Sequence, residues 1–390
     1  MSGETFLGYP RPGDRAGVRN YVAVLPPGFI ANEVCRAVPG TRTAVVDHGT
    51  GHTPRDDSAF HRVLVGLGRN PNVAAVVLTN GDVALADAIT RNGGPEVVLL
   101  SAATSGGTYG LVAAAIEAAR QLVHQASRLR REPFPATYLS VAVKCGASDA
   151  TSGIAGNPAV GAAFNRLVAA GGTALFGETT EVIGAEHFLA ARCVTPDVAA
   201  RLLAAVQTME ARALSAGVDI RGINPNSYNL RGGITTIEEK SLGAIKKAGD
   251  APIQDVLPYA AQLPAHRPGL YFMESWPYAT SIQLGFAAAG AHIQIYQLGS
   301  TSAPPGSVLS PSAGPVTPLL WATANPVTAR NAATSIDFSS APVLAGEESI
   351  EQAGERLWRL FLEVASGSLL WSETVAHIPA ASVYTVDPVF

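Results

Sequence analysis

Short apolar runs recur through the first hundred residues, each closed by polar or glycine-rich positions. Asn20 to Leu25, Ala44 to Asp47, Val73 to Leu78 and Val97 to Leu100 read as strands. Between them the apolar period lengthens and predicts helices over Asn32–Val38, Phe60–Gly68, Val83–Ile89 and about Gly110–Arg130. Strands that are almost wholly apolar, alternating with helices, indicate a mostly parallel sheet buried on both faces. Residues 5–19, rich in Gly, Pro and Arg, read as an ordered approach loop.

The stretch Ser127 to Ala136 is charged and broken by two prolines, and it divides the chain into an N-terminal α/β domain (1–130) and a C-terminal α/β catalytic domain (131–390). The second half repeats the alternation. Strands are expected at 138–143, Ala174–Phe176, Gly269–Met273 and Ala291–Tyr296, and helices at Asn157–Ala170, Pro196–Ala216, Ser241–Lys247 and Ser349–Ser366. Pro158 and Pro196 sit near helix starts, where a missing N–H costs little. Gly299 to Gly314 reads as loop. The fold class is therefore α/β, with mostly parallel sheets, flanking helices and two domains.

Composition narrows the class of function. Of 390 residues, 47% are apolar and 15% charged, so core material is ample. A net charge of -4 leaves no basic footprint for nucleic acid. No apolar run is long enough for a membrane span, and the N-terminus lacks a signal peptide's basic and apolar regions. Cys35, Cys145 and Cys193 are odd in number and far apart, which argues against a disulfide framework or a zinc ribbon. A cytoplasmic protein with reduced thiols is expected.

Two polar runs stand out where packing alone needs none: Val143 to Asp149, which follows a strand, and Gly232 to Ser241. Each gathers a lysine, a carboxylate and hydroxyls. Lys144 is a candidate to bind a carboxylate or stabilise an enolate. Asp149 is a candidate metal ligand or a helix cap, and Ser148 lies between them. Glu178 and Glu181, at i and i+3, share a face if helical and can divide acid and base roles. Thr235 or Thr236 with the glutamate three residues on, Glu238 or Glu239, forms a capping-box pattern, but the Gly232–Gly233 pair also allows backbone to approach a ligand. Lys240 is a candidate carboxylate binder or base. His48 and His52 stand four apart in a glycine-rich loop and suit a metal or base chemistry. Arg19, next to Asn20 at a strand start, can grip a carboxylate or serve structure.

These runs, with several others in the same order, resemble the altronate/galactarate dehydratase family in its large-subunit form. The matching segments are Gly8-Tyr9-x-Arg11, Gly17 to Asn20, His48 to Gly51, Gly106 to Thr108, Lys144 to Asp149, Asn157-Pro158, Gly171 to Thr173, Glu178-x-x-Glu181, Gly184 to Glu186, Asn224-Pro225, Gly232 to Gly243 and Glu363 to Gly367. The resemblance implies a hydro-lyase that removes water from sugar acids to give 2-keto-3-deoxy acids, with a divalent metal: iron(II), or manganese or magnesium. It also implies relatives that remove sulfite from sulfolactate, and a small N-terminal module that this chain lacks and that a separate small subunit would supply. The family's cysteines are replaced by Ile30, His52 and about Gly81, its lysine-bearing run by Asn229-Leu230-Arg231, and its late arginine run by Gly299 to Pro304.

Together these readings give a β-elimination in a cleft between the domains. Such a reaction needs a base at the carbon next to the carboxylate, a cation for the resulting dianion and an acid for the leaving group. The expected catalytic residues are His48, Lys144, Asp149, Glu178 and Lys240. The expected substrate contacts are Arg19, Asn20, Thr50, Ser148, Gly232, Gly233 and Thr235. The metal is assigned to His48, His52 and Glu181, with Asp149 and Glu178 able to hold or replace it. Small-molecule hydroxy acid and homo-oligomeric partners are expected, and neither nucleic acid nor membrane. A metal-independent lyase or isomerase, or a non-catalytic binding homologue, remain the alternatives on the same scaffold.

Overall fold

A computed structural model describes residues 4–46, 51–265, 267–300, 315–375 and 380–387. Its strands are, in chain order, β1 (Thr5–Arg11), β2 (Arg15–Gly17), β3 (Tyr21–Leu25), β4 (Thr41–Arg42), β5 (Val45–Val46), β6 (Val73–Leu78), β7 (Glu96–Leu99), β8 (Glu132–Pro135), β9 (Ser140–Gly146), β10 (Thr173–Phe176), β11 (Ile253–Leu257), β12 (Gly269–Met273), β13 (Ile293–Leu298), β14 (Leu319–Thr323), β15 (Phe338–Ser339) and β16 (Ala380–Ala381). Two fully parallel sheets organise the chain, of order β4-β3-β6-β7 and β11-β12-β10-β9-β13-β14-β15. The α/β class read from the sequence is the one observed.

Side chains alternate between two cores along each buried strand, as the two-residue period of a pleated strand requires. In the larger sheet Val141, Val143, Ala174, Phe176, Leu270 and Phe272 face one core with the helices Asn157–Ala169 and Ile350–Ala365, while Ala142, Leu175, Tyr271 and Met273 face the other. That second core is shared with Ala23, Leu25, Val76 and Leu78 of the smaller sheet. The smaller sheet's opposite face, Val22, Val24, Ala75 and Val77, packs on the helices Phe29–Ala37 and Thr108–Ala126.

The layer between the sheets contains the helices Pro54–Arg69 and Ala279–Ala289. Every residue from Ser281 to Ala289 is buried, so this helix lacks the polar face by which an amphipathic helix is recognised. It crosses its neighbour at Gly66, where a Cβ would stand 2.2 Å from the Ala288 carbonyl oxygen. Asn70 and Asn72 join the layers: Asn70 donates to the carbonyls of Ala287 and Ala291, and Asn72 to those of His292 and Val316.

The approach loop expected over residues 5–19 is instead a β1–β2 hairpin, and β1 also pairs antiparallel with β8. The two prolines of β8 are tolerated because that strand has β1 as its single partner. Arg19 closes this end of the molecule. Its guanidinium makes a two-pronged ion pair with Glu373 at 2.7 Å on each side and donates to the carbonyls of Val18, Val364 and Ser368. Asn20 accepts from Arg11 and donates to the Ala126 carbonyl. Both were expected at the substrate; both have spent their polar groups on binding the hairpin to the C-terminal helix and to the helix Thr108–Ala126.

His292, at the start of β13, is buried with Nε2 donating to the Ala16 carbonyl at 2.6 Å and Nδ1 accepting from the Ser140 N–H at 3.0 Å. Burial, and after it the nearby Arg15 and Arg11 charges, push its pKa down to about 4, against one backbone bond that favours the charge.

Two outcomes follow. Replacing Arg19 with Met leaves Glu373 buried without its cation and lowers the unfolding free energy, measured in urea, by roughly 3–5 kcal/mol; unchanged stability would refute the clamp. The unfolded chain protonates its histidine near pH 6.5 and the native chain near 4, so the unfolded state binds more protons between them. Stability contributed by His292 is complete above pH 6.5 and falls as pH drops towards about 4, by on the order of 3 kcal/mol. His292→Gln should flatten that part of the stability–pH curve.

Candidate functional site

The larger sheet places its functional side chains by topology. β10 lies on one side of β9 and β13 on the other: the chain lays down β10, β11 and β12 on one side of β9, then crosses back to add β13 on the opposite side. In open parallel sheets the crevice at the carboxyl ends of such strands is the usual ligand site. Here the end of β9 with the residues after it carries Lys144 to Ser148, and the segment leaving β10 carries Glu178, Thr180 and Glu181. They face a cavity of about 530 Å³ whose described lining runs from Lys144 to Tyr278, with Tyr384 from the C-terminal segment. None of those residues precedes 144, so among the described residues the cavity is not the expected cleft between the two halves of the chain.

Glu178 is the centre of the site. Its carboxylate is 1% exposed and its backbone is left-handed, with φ 72°, an unfavourable conformation for a residue with a Cβ. A bond of its N–H to the Ser275 hydroxyl fixes the backbone. Oε2 accepts from the Cys145 N–H at 3.0 Å and makes a close ion pair with the ammonium of Lys247. Oε1 stands 3.6 Å from the Lys144 ammonium. Burial opposes the carboxylate's charge most strongly, but the charges of Lys247 and then Lys144, and the hydrogen bonds from Lys247 and the Cys145 N–H, hold its pKa below the usual range.

Lys144 and Cys145 are successive residues on β9 and point to opposite faces. Lys144 lies 4.9 Å from the centre of the Tyr296 ring. Burial works against its charge, yet Tyr296, Glu178 and Cys145 together raise its pKa. Cys145 faces Lys247, whose ammonium is 3.1 Å from its sulfur. Burial and then Glu178 push the thiol pKa up. Lys247 sits in the short helix Ile245–Ala248, and its charge too is maintained against burial by Cys145 and Glu178.

A second ion pair closes the floor. Lys240, from the helix Ile237–Ala244, pairs with both oxygens of Glu181 at 3.0 Å and donates to Asn224 at 2.7 Å. The expected shared helical face of Glu178 and Glu181 is absent. Glu178 precedes a 3-10 turn over Thr179–Glu181; its carboxylate is shared by Lys247 and Lys144, and that of Glu181 takes Lys240. Thr180, between them, is buried and lines the cavity, and its hydroxyl has no hydrogen-bond partner within the described protein.

Thus Lys144, Ser148, Glu178, Glu181 and Lys240 gather at one cavity. Other expected site residues lie elsewhere. Asp149 caps the helix that follows it, Oδ1 accepting from Thr151 and the Ser152 N–H, while Oδ2 accepts from Asn325. Gly232 and Gly233 support that cap: the Gly232 carbonyl accepts from the Ala150 N–H, and a Cβ on Gly232 would lie 2.6 Å from the Asp149 Cβ. Thr235 is exposed and bonds Glu239, completing the cap of which Thr236 is the first residue. His48 and Thr50 lie outside the described residues. His52 precedes the helix Pro54–Arg69 and does not line the cavity.

Sequence reasoning missed Lys247 and Thr180. For Lys247 the signal was slight: one of two adjacent lysines, next to Ile245 and Ala248. Thr180 stood between two glutamates already singled out.

Among the described residues no three His, Cys, Asp or Glu side chains are grouped to hold a metal ion. Both carboxylates at the cavity are committed to lysines, and Asp149 to its cap. The described donor set therefore does not fit the expected divalent metal. The chemistry that it does suit is the binding of an anion by the Lys144 and Lys240 ammonium groups that line the cavity.

Comparison with known proteins gives the family. Residues 136–385 match the family described as D-galactarate/Altronate dehydratase, C-terminal, and residues 8–127 match D-galactarate dehydratase/Altronate hydrolase, second domain. The chain is 36% identical over 387 residues to a (2R)-sulfolactate sulfo-lyase subunit beta of Chromohalobacter salexigens, covering 97% of this chain and 96% of that one. It is 33% identical over 263 residues to a galactarate dehydratase (L-threo-forming) of Escherichia coli, 67% of this chain and 48% of that one. An altronate dehydratase of Bacillus subtilis is 27% identical over 76% of this chain and 62% of its own. The chain belongs to the D-galactarate/altronate dehydratase family of lyases.

Proposed function

We propose that this protein catalyses β-elimination from a small 2-hydroxycarboxylate, releasing the substituent at C3 and giving a 2-oxo acid. The observation that carries the reading is the excess of buried ammonium over carboxylate at the ends of β9 and β10: Lys144, Lys240 and Lys247 against Glu178 and Glu181. Such a floor attracts a carboxylate and strengthens as that carboxylate becomes a dianion.

In this scheme Lys144 and Lys240 hold the substrate carboxylate, and the Thr180 hydroxyl meets the 2-hydroxyl. Glu181 takes the proton from C2, and the C–H electrons pass into the carboxylate. They return to form the C2–C3 double bond as the substituent leaves with its own bonding pair. The enol then becomes the 2-oxo acid.

The leaving group is hydroxide in a dehydratase and sulfite in a sulfo-lyase. Near end-to-end similarity to the sulfo-lyase subunit, against partial coverage of the dehydratases, favours sulfolactate as the first substrate to test. That relative is named as one subunit of an enzyme, which supports a separate second subunit here as well.

The test is an anaerobic assay of the purified chain, alone and with candidate small subunits, against sulfolactate, galactarate and altronate. Pyruvate with sulfite, or a 2-oxo-3-deoxy acid, is the expected product; none from any substrate would sink the proposal. Lys144→Met should lower kcat/KM roughly 100- to 1000-fold without unfolding the protein. Wild-type kinetics in that variant would remove Lys144 from the scheme.

A further inference from the structure

Lys247 is the most deeply buried of the three lysines, 1% exposed, and it does not line the cavity. A buried lysine with no contact to ligand needs a reason, because its charge is costly to remove from water. Two contacts stand out. Lys247 is in direct ion-pair contact with Oε2 of Glu178, whereas the Lys144 ammonium stands 3.6 Å from Oε1, beyond hydrogen-bond distance. One carboxylate is thus shared unequally between two cations. The one behind the wall is bonded to it, and the one facing the cavity is not.

We propose that Lys247 is a positioning residue: by holding Glu178 it keeps that carboxylate from closing on Lys144, and so leaves the Lys144 ammonium for the carboxylate of a 2-hydroxy acid. This rests on the reading above that an anion occupies the cavity. The pairing makes the role specific. Three ammonium groups stand against two carboxylates, and the Arg212 guanidinium lines the cavity as a fourth cation. Without Lys247, Glu178 has only Lys144 to pair with. The left-handed backbone of Glu178 and its bond from the Cys145 N–H limit where the carboxylate can swing, so the released Oε1 would move the short distance onto Lys144.

The experiment measures lactate binding to the purified full chain by calorimetry, with neutral lactamide as control. Lys247→Met should weaken lactate binding at least tenfold and leave lactamide unchanged. The double variant Lys247→Met/Glu178→Gln restores the net charge of the wild type and frees Lys144, so it should recover lactate binding to within about threefold of wild type. If Lys247→Met does not fold, the comparison rests on Glu178→Gln, expected to bind lactate at least as tightly as wild type, and on the double variant. Lactate binding within twofold of wild type in Lys247→Met, or a folded double variant still tenfold weaker, would overturn the proposal. The assay needs no turnover. A binding pattern as expected, with no product from the substrate panel, would sink the elimination reading and leave the role of Lys247 standing.

Discussion

A carboxylate removed from water has to be neutralised, and Glu178 is removed almost completely. Much of the site is organised by that requirement. Lys247 reaches it from one helix, Lys144 from the neighbouring strand, and a backbone N–H from Cys145 completes its coordination. Desolvation of this order is repaid only when geometry is good and every lone pair is used. The left-handed backbone of Glu178 is the cost of reaching that geometry, and the Ser275 hydroxyl holds it there. Stability and chemistry therefore draw on the same few atoms.

The sheet supplies the directions. Because side chains alternate along β9, Lys144 and Cys145 leave it on opposite faces, Lys144 towards Tyr296 and Cys145 towards Lys247 of the short helix Ile245–Ala248. A carboxylate that follows the adjacent β10 can then touch groups from both faces. No comparable juxtaposition is available within a single helix, where i and i+3 residues share a side. The second pair, Glu181 with Lys240, comes from a turn and a helix, and it closes the floor without touching the first.

Much of this was legible in the sequence. Buried parallel strands are nearly pure apolar runs, so Val73–Leu78 and Gly269–Met273 could be read to the residue. The helix Ala279–Ala289 was not, because a segment buried on every side has no polar period to announce it. The β1–β2 hairpin carries Gly, Pro and Arg, the signals of a loop, since its strands are short and its arginines bind backbone carbonyls. At the site, Lys144, Glu178 and Lys240 stood out as polar residues where packing needs none. Arg19 and Asp149 stood out for the same reason and proved to be a clamp and a cap, functions that a one-dimensional pattern does not separate from ligand binding. Lys247 was hidden because it lies 102 residues from its partner Cys145, beyond the reach of any local pattern.

The clamp at Arg19 has a consequence for the amino-terminal hairpin. Glu4 accepts from the Trp358 indole at 2.8 Å, Leu7 donates to Ser366, and Arg19 grips Glu373. Each of these bonds joins positions at least 354 residues apart. Bringing such distant segments together costs more loop-closure entropy than local pairing does. The hairpin is therefore anchored twice, by β8 and, from far along the chain, by residues 358–373, and loss of the distant anchor would loosen it as surely as damage to its own strands.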